Sequence, residues 1–374
     1  MKNSSRGVTG VGVPLLCLAA LFAGSMTLPD AVTQPAVAAE AEEEPDVPFG
    51  LPPVFFPEDN PYSSAKVELG RLLYFDKRLS TDNTVACATC HAPSKGYTDA
   101  APVSTGINGQ KGGRSAPTVI NRAYSTRQFW DGRAPSLEAQ AVGPIANPIE
   151  MTNLKTEKAA HGAVVARLKK NKGYQGRFAK VFGTKDFTID HVGKAIATFE
   201  RTVLSGNSPY DRYVNGDKKA LNASQARGFT IFFKKAACDS CHLGFNFTDG
   251  SFENVGIGMD KPKPDLGRFV VTGKATDKGS FKTPTLREIE HTGPYMHDGR
   301  FKTLEQVIGH YSGQVRPHPN LGLAFEDNSS EKGASGFRFT KRQQQALVAF
   351  LKTLTDTSFV TDARFSDPFV RSAR

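Results

Sequence analysis

Cys87-Ala-Thr-Cys90-His91 and Cys238-Asp-Ser-Cys241-His242 are two pentads of the same form, and they contain four of the 5 cysteines in this 374-residue chain. In such a pentad both thiols can add to the vinyl groups of one haem, and the histidine then lies within reach of the iron. A redox disulfide or a zinc site would account for the cysteines, but not for a histidine directly after each pair. The pentads therefore predict two covalently bound c-type haems, with His91 and His242 as the proximal iron ligands.

The pentads lie within a longer internal repeat. An apolar helical segment precedes each pentad, and helical periodicity also predicts helices over 189–203 and 343–354. We expect a mostly α fold of two cytochrome c-like domains, each wrapping one covalently bound haem, with boundaries at 51–215 and 216–374. The motifs that recur in both halves are Thr98-Asp99 and Thr248-Asp249, Pro117-Thr118 and Pro284-Thr285, and Asp131-Gly132-Arg133 and Asp298-Gly299-Arg300.

The two halves differ where the second axial ligand of each iron is expected. Pro144 stands thirteen residues past Asp131, and Tyr311 stands thirteen residues past Asp298. Proline has no donor atom to offer the iron, whereas a phenol oxygen can ligate it. We therefore expect an open first haem and a second haem closed by Tyr311. The alternative ligands of the second iron are His310, Met296 and Met259.

An open iron beside a carboxylate suggests peroxide chemistry, because splitting the O–O bond needs a group that moves a proton between the two oxygens. Glu150 lies six residues past Pro144 and is expected on the same loop, although a glutamate there is more commonly a solvated surface residue. Gln140 is a further candidate for this pocket. Trp130 is the only tryptophan, and its indole is either an electron relay between the haems or part of the packed core.

The N-terminal segment 1–38 differs from the rest of the chain. Two basic residues precede the apolar stretch 8–24, which is too short for a membrane span but suits a secretory signal. We expect cleavage after Ser25 or Ala38, followed by an acidic leader over 39–50. The predicted location is the periplasm, since bacteria attach haem covalently outside the cytoplasm, and no membrane span is expected in the mature chain.

Composition narrows the class of protein further. The chain contains 26 Phe, which is a large apolar content for a packed core, and 35 Gly with 23 Pro, which predict many turns. Intrinsic disorder of the bulk is therefore excluded, and neither a coiled-coil nor a collagen period occurs. The net charge is +10, but the basic residues are scattered, so nucleic acid is not an expected partner. Acidic proteins are better candidates, because a basic protein attracts them at long range.

Together these motifs resemble the bacterial dihaem cytochrome c peroxidase family, which includes MauG, over about residues 50 to 355. The resemblance implies that the first haem is peroxidatic, that Glu150 is the catalytic carboxylate and that Trp130 lies between the haems. It also implies a calcium ion held by the peptide carbonyls of Thr292 and Pro294, with Ser115 where the family carries an asparagine. The motifs that carry the resemblance, besides the pentads, are Phe129-Trp130-Asp131-Gly132-Arg133, Pro148-Ile149-Glu150-Met151, Pro284-Thr285-Leu286-Arg287 and Met296-His297-Asp298-Gly299.

Two departures from the usual family pattern point to the MauG type. Typical members carry a histidine that caps the first iron until the second haem is reduced, but Ile107 stands at that position. Typical members also use methionine as the distal ligand of the second haem, where this chain has Tyr311. The resemblance therefore implies an enzyme that needs no reductive activation. Gln140, Pro144 and Glu150 around the open haem match the MauG type as well.

The function implied by the resemblance is a periplasmic peroxidase that reduces hydrogen peroxide at the first haem with electrons relayed from the second. The electron source is either a small cytochrome c or another periplasmic redox protein, or an oxidisable side chain of a protein substrate, as in MauG. The main alternative is a non-enzymatic dihaem electron-transfer cytochrome, in which both irons are six-coordinate. A third hypothesis is a haem sensor that binds a gas without turning over peroxide.

Overall fold

The computed structural model describes residues 45–259, 261–322, 325 and 337–370. The predicted signal segment 1–38 and the first part of the leader 39–50 lie outside the described residues. The fold is mostly helical, as the sequence predicts. None of the helices in the described part is long and apolar enough to cross a membrane.

Eleven α-helices and one two-stranded antiparallel sheet make up the main regular structure of the described residues. The helices are α1 Ser64–Phe75, α2 Cys87–Cys90, α3 Leu137–Val142, α4 Glu157–Lys169, α5 Lys172–Phe182, α6 Ile189–Arg201, α7 Pro209–Val214, α8 Ala223–Thr230, α9 Phe269–Thr272, α10 Leu304–Tyr311 and α11 Lys341–Leu351. The strands β1 Phe252–Glu253 and β2 Phe281–Lys282 pair antiparallel, with Phe252 opposite Lys282 and Glu253 opposite Phe281. A π-helical turn, Ile231–Lys235, continues α8. The 3-10 turns are Lys77–Leu79, Pro93–Lys95, Ile107–Gly109, Arg122–Tyr124, Pro144–Ala146, Cys238–Ser240, Ala275–Asp277, Lys352–Leu354, Phe359–Thr361 and Ala363–Phe365.

Local side-chain chemistry explains where several helices begin. The Ser63 hydroxyl accepts a hydrogen bond from the Lys66 N–H at the start of α1. Thr340 and Gln343 form a reciprocal capping box at the start of α11. Each cap satisfies backbone N–H groups that have no partner inside the helix. Both helices predicted from periodicity are confirmed in type, but regular α-helix ends earlier than predicted, at Arg201 in α6 and at Leu351 in α11.

The internal repeat reappears as the same helix crossing in each half. Gly70 on α1 packs directly against the Ala195 carbonyl on α6, and a Cβ added there would overlap that oxygen. Gly228 on α8 meets the Ala346 carbonyl on α11 in the same way. Only glycine lets two helix backbones approach this closely. The helix before each pentad is therefore locked against a later helix of its own half.

Two hydrophobic cores correspond to the two halves. The first includes residues of α1, α4, α5 and α6, and the second includes residues of α8, α10 and α11. Phe359 and Phe365, near the C-terminal end, pack in the first core, where both rings contact Tyr97. The end of the chain thus returns to the first half. The division at 51–215 and 216–374 remains a prediction.

Candidate functional site

The two pentads have similar histidine geometry although their backbones differ. Residues 87–90 form one helical turn, whereas 238–240 form a 3-10 turn. All four thiols are free. His91 Nδ1 lies 3.3 Å from the Tyr97 carbonyl, and His242 Nδ1 lies 3.0 Å from the Phe247 carbonyl. Burial lowers the pKa of both histidines, which favours the neutral form that binds metals.

These contacts fit a covalently attached haem. Because a carbonyl holds Nδ1 of each ring, Nε2 remains available to an iron, as is usual for histidine ligands. Among the described residues, no three His, Cys, Asp or Glu side chains come together as a metal site.

One cavity of about 670 Å³ brings most of the predicted site residues together. Both pentads contribute to its wall, which is mainly apolar. Cys87 does not line the cavity but packs against the first core. The predicted residues that line the cavity are Cys90, His91, Trp130, Gln140, Pro144, Glu150, Cys238, Cys241, His242, Thr292, Pro294 and Tyr311.

Glu150 is held on the loop that follows Pro144, as the sequence predicts. Asn147 Nδ2 donates to Glu150 Oε1 at 2.7 Å. Gly106 packs so closely on the Glu150 backbone that a Cβ would overlap it. Burial raises the pKa of the Glu150 carboxyl, while Arg133 and the Asn147 amide act in the opposite direction. The result is a positioned carboxyl whose pKa lies above its ordinary value.

Ile107 does not approach the cavity. Its side chain is 1% exposed and packs in the first core, while its N–H donates to the Glu150 carbonyl at 3.1 Å. His161, the next histidine after His91, lies with Nε2 2.9 Å from the Val142 carbonyl. Neither residue is therefore placed to cap the first pentad's site.

The candidate ligands of the second iron differ in whether they line the cavity. Tyr311 ends α10, lines the cavity and stacks on Phe325, with ring centroids 5.7 Å apart. Burial raises the pKa of its phenol, and the nearby thiols of Cys238 and Cys241 act in the same direction. His310 is committed elsewhere, with Nε2 2.9 Å from the Val255 carbonyl. Of the remaining alternatives, Met296 lines the cavity and Met259 does not.

Trp130 lies where the two halves exchange backbone hydrogen bonds. Its indole N–H donates to the Ser115 carbonyl at 2.9 Å, and its own carbonyl accepts from the Lys282 N–H at 2.8 Å. Its repeat counterpart is His297, whose carbonyl accepts from the Ser115 N–H at 2.8 Å. Because Ser115 and Lys282 are themselves repeat counterparts, the exchange is reciprocal. Trp130 is therefore part of a contact between the halves as well as of the cavity wall.

The predicted calcium residues also line the cavity. Thr292 and Pro294 flank Gly293 in the segment that closes one side of it. The Ser115 hydroxyl donates to the Met296 carbonyl at 3.1 Å, so it is engaged within the protein. The peptide carbonyls of Thr292 and Pro294 remain the candidate calcium ligands, and this assignment stays a prediction.

Three buried ionisable residues on the cavity wall were not predicted from the sequence. They are Arg122, Glu200 and Lys282. Glu200 is 3% exposed, and its Oε2 has no hydrogen-bond partner within the described part of the chain. Burial raises the pKa of this carboxyl to about 8. A residue-by-residue comparison of the two halves could have identified Glu200 from the sequence. Leu351 occupies the position in α11 that corresponds to Glu200 in α6, so a carboxyl replaces an apolar side chain there.

The site and the fold define an internally repeated, mostly helical protein with two Cys-x-x-Cys-His sites at one cavity. A family model described as di-haem cytochrome c peroxidase matches residues 64–219. The methylamine utilization protein MauG of Methylorubrum extorquens is 42% identical over 303 residues, which are 80% of each chain. The cytochrome c551 peroxidase of Nitrosomonas europaea is 40% identical over 297 residues, 79% of this chain and 81% of that one.

A solved structure of a MauG-like protein associated with microbial copper homeostasis is 35% identical in sequence to this chain, with a TM-score of 0.76. The match covers 87% of this chain and 99% of the chain in that structure. The dihaem peroxidase BthA from Burkholderia thailandensis shares the fold, with a TM-score of 0.67 at 23% identity. The chain belongs to the di-haem cytochrome c peroxidase family and is an oxidoreductase of that family. Its membership implies two haem groups.

Proposed function

We propose that this chain is a periplasmic c-type peroxidase with two covalently attached haems, which reduces hydrogen peroxide at the first and draws electrons through the second. The observation that best supports this proposal is that the two halves contribute different residues to the cavity wall. Pro144 and Glu150 line it from the first half, where neither Ile107 nor His161 lines the cavity, and Tyr311 lines it from the second. One site is therefore suited to bind a small molecule, and the other to transfer electrons.

The pentad residues hold the cofactors in this proposal. Cys87 and Cys90 form thioethers with the first haem, and Cys238 and Cys241 form them with the second. When bound, each haem supplies a redox-active iron. The histidine that ends each pentad offers Nε2 as the proximal ligand, while its Nδ1 hydrogen bond fixes the plane of the ring.

Glu150 is the proposed proton carrier. Reduction of one peroxide to two waters consumes two electrons and two protons, and the O–O bond breaks more easily when a proton moves from one oxygen to the other. A carboxyl with a raised pKa suits this role, because it holds a proton more readily than an ordinary glutamate and can return it to the second oxygen. Gln140 and Pro144 complete the pocket, and the proline leaves room for the substrate.

Trp130 and Tyr311 are proposed to serve electron transfer. Trp130 lies at the contact between the halves, so its indole can relay electrons from one haem to the other. Tyr311 is proposed as the distal ligand of the second iron, and an anionic oxygen ligand favours the higher oxidation states of iron.

The electron source is proposed to be an acidic redox protein, such as a small cytochrome c, or a side chain of a protein substrate. The net charge of +10 favours long-range attraction of an acidic partner. One relative is a methylamine utilization protein MauG and a similar solved structure is of a MauG-like protein, and we propose the MauG-like, protein-oxidising variant as a specific form of this function. A calcium ion on the carbonyls of Thr292 and Pro294 is proposed as a second, structural cofactor.

The central test is the reaction of the fully ferric protein with hydrogen peroxide, measured by stopped-flow absorbance and by oxidation of reduced cytochrome c. We expect Glu150→Gln to slow the peroxide reaction by about 10²- to 10⁴-fold while both haems remain bound. Glu157→Gln is the matched control, since that side chain is 76% exposed on α4. A wild-type protein with only low-spin haem and no reaction would instead support an electron-transfer cytochrome.

The ligand assignment is tested by Tyr311→Phe, because phenylalanine has no oxygen to offer the iron. We expect the electronic and EPR spectra of one haem to change while those of the other persist. Tyr213→Phe is the control, since Tyr213 does not line the cavity. Identical spectra for Tyr311→Phe and the wild type would contradict Tyr311 as the ligand.

A further inference from the structure

Lys282 is a buried lysine at the cavity wall. It lies on β2, is only 6% exposed and lines the cavity. Its backbone N–H donates a hydrogen bond to the Trp130 carbonyl. Within the described part of the chain, no group accepts a hydrogen bond from Nζ. A buried ammonium in this state is expected to have an anion beside it.

A second basic side chain, Arg122, lines the same cavity as Lys282 and is 9% exposed. Burial lowers the pKa of the Lys282 ammonium well below its ordinary value, and Arg122 acts in the same direction. The guanidinium of Arg122 donates to Gln128 Oε1 at 3.0 Å and to the Arg127 carbonyl at 3.0 Å. Both acceptors are neutral. Two basic side chains therefore face the same cavity, and no carboxylate accepts a hydrogen bond from either within the described residues.

Glu200 does not supply the missing negative charge. It faces Arg122 but is not among the groups that act on Lys282. Burial raises the pKa of its carboxyl to about 8, so it is mainly protonated at neutral pH. The two basic side chains therefore have no negative counter-charge among these neighbours, and an external anion could supply it.

The other half of the repeat shows that this arrangement is not demanded by the scaffold. The positions that correspond to Lys282, Arg122, Gln128 and Glu200 are occupied by neutral residues that line the same cavity. These are Ser115, Ile289, Tyr295 and Leu351, in that order. The cations are thus confined to one set of equivalent positions, as expected for a binding site rather than a folding requirement.

We propose that Lys282 and Arg122 together bind a propionate carboxylate of the haem attached to Cys87 and Cys90. Arg122 and Glu200 both belong to the first half and line the cavity together with Cys90 and His91 of the first pentad, so we assign the pair to the first pentad's haem. Lys282 belongs to the second half, so this anchor joins the two halves through the cofactor. The inference rests on the proposed covalent haems.

A cation beside a propionate stabilises the extra electron of the ferrous haem, so its removal should lower the midpoint potential. The experiment is spectroelectrochemical titration of the haem-loaded protein, with the high-spin and low-spin bands followed separately. We expect Lys282→Met to lower the midpoint potential of the high-spin haem more than that of the low-spin haem. Arg122→Met should act in the same direction, and Lys282→Arg should stay close to the wild type.

Lys274→Met is the matched control, because it removes the same charge from an exposed position in the same segment. Lys282→Gln provides a second variant if the methionine variant does not fold. Equal potentials in wild type, Lys282→Met and Lys282→Gln would overturn the site, as would an equal shift in the control. Haem content is measured first on the wild type. Absence of covalent haem would overturn the proposed function as well, whereas two haems with unchanged potentials would overturn only the propionate site.

Discussion

The two halves of this protein share a scaffold and differ at a few equivalent positions. Gly70 and Gly228 form matching helix crossings, and Tyr97 and Phe247 offer matching carbonyls to the two pentad histidines. Phe129 and Met296, both with positive φ, precede matching turns. The proposed division of labour instead depends on single substitutions, above all Pro144 against Tyr311. The comparison teaches that backbone geometry was retained while individual side chains at the cavity were exchanged.

The strongest expected effect concerns a position where the halves use opposite chemistry. Arg287 is 1% exposed and forms an ion pair with Asp211 at 2.6 Å, while its counterpart Ile120 is fully buried in the first core. We expect Arg287→Met to destabilise the protein by about 3–5 kcal/mol, because it leaves the buried Asp211 carboxylate with its Ser208 hydrogen bonds but without its cationic partner. Ile120→Val should cost only about 0.5–1.5 kcal/mol.

Urea unfolding of the haem-loaded protein measures both effects. The double variant Arg287→Met with Asp211→Leu should recover much of the loss, since it removes both buried charges. A single-variant loss no larger than that of Ile120→Val would show that the ion pair contributes little. The two halves would then differ in sequence at this position, but the buried residues would contribute similarly to the free energy of unfolding.

A smaller effect tests whether the two halves are structurally equivalent. We expect Gly70→Ala and Gly228→Ala each to destabilise the protein by about 1–3 kcal/mol, because the added methyl group overlaps the facing helix backbone. Gly162→Ala on α4 is the control. Its position has open space around a Cβ, so the substitution should stabilise by about 0.5–1 kcal/mol. A loss at only one of the two crossings would contradict the equivalence of the halves.

A further difference between the halves is a pH dependence of stability that Glu200 gives to the first half. The pKa of Glu200 is raised to about 8 in the folded protein, so the folded state keeps a proton that the unfolded state releases above its ordinary pKa. Stability is therefore lost as the pH rises from about 4.5 to 8, by at most about 1.4 kcal/mol per pH unit. The equivalent residue in the second half, Leu351, cannot titrate.

Glu200→Gln should therefore become more stable relative to the wild type as the pH rises through this range. Thermal or urea unfolding at pH 5, 6, 7 and 8 gives the difference at each pH. Glu157→Gln is the control, since that residue is exposed. A stability difference that does not change with pH would show that Glu200 is already ionised in the folded protein.

The predictions from sequence succeeded where the chemistry is local. The Cys-x-x-Cys-His pattern is recognised from five consecutive residues. The helices are recognised from apolar periodicity and from capping residues at their starts. Counting from Asp298 predicts Tyr311 as a ligand of the second haem, because both halves keep the same spacing after their repeated triplet. Tyr311 does line the cavity, and its ligation of the iron stays a prediction. The helix ends were less accurate, since the last turns of α6 and α11 pass into irregular or 3-10 structure under tertiary packing.

By itself the sequence determined the two pentads, the internal repeat, the mostly helical fold and the unequal residues at 144 and 311. The tertiary structure alone decided that Ile107 packs in the core, that His310 hydrogen-bonds the Val255 carbonyl, and that Lys282 and Arg122, from different halves, line one cavity. The physical reason is the separation along the chain over which each kind of interaction acts. Covalent and helical constraints act between neighbours in the chain, whereas burial and charge pairing depend on which distant segments the folded backbone brings together.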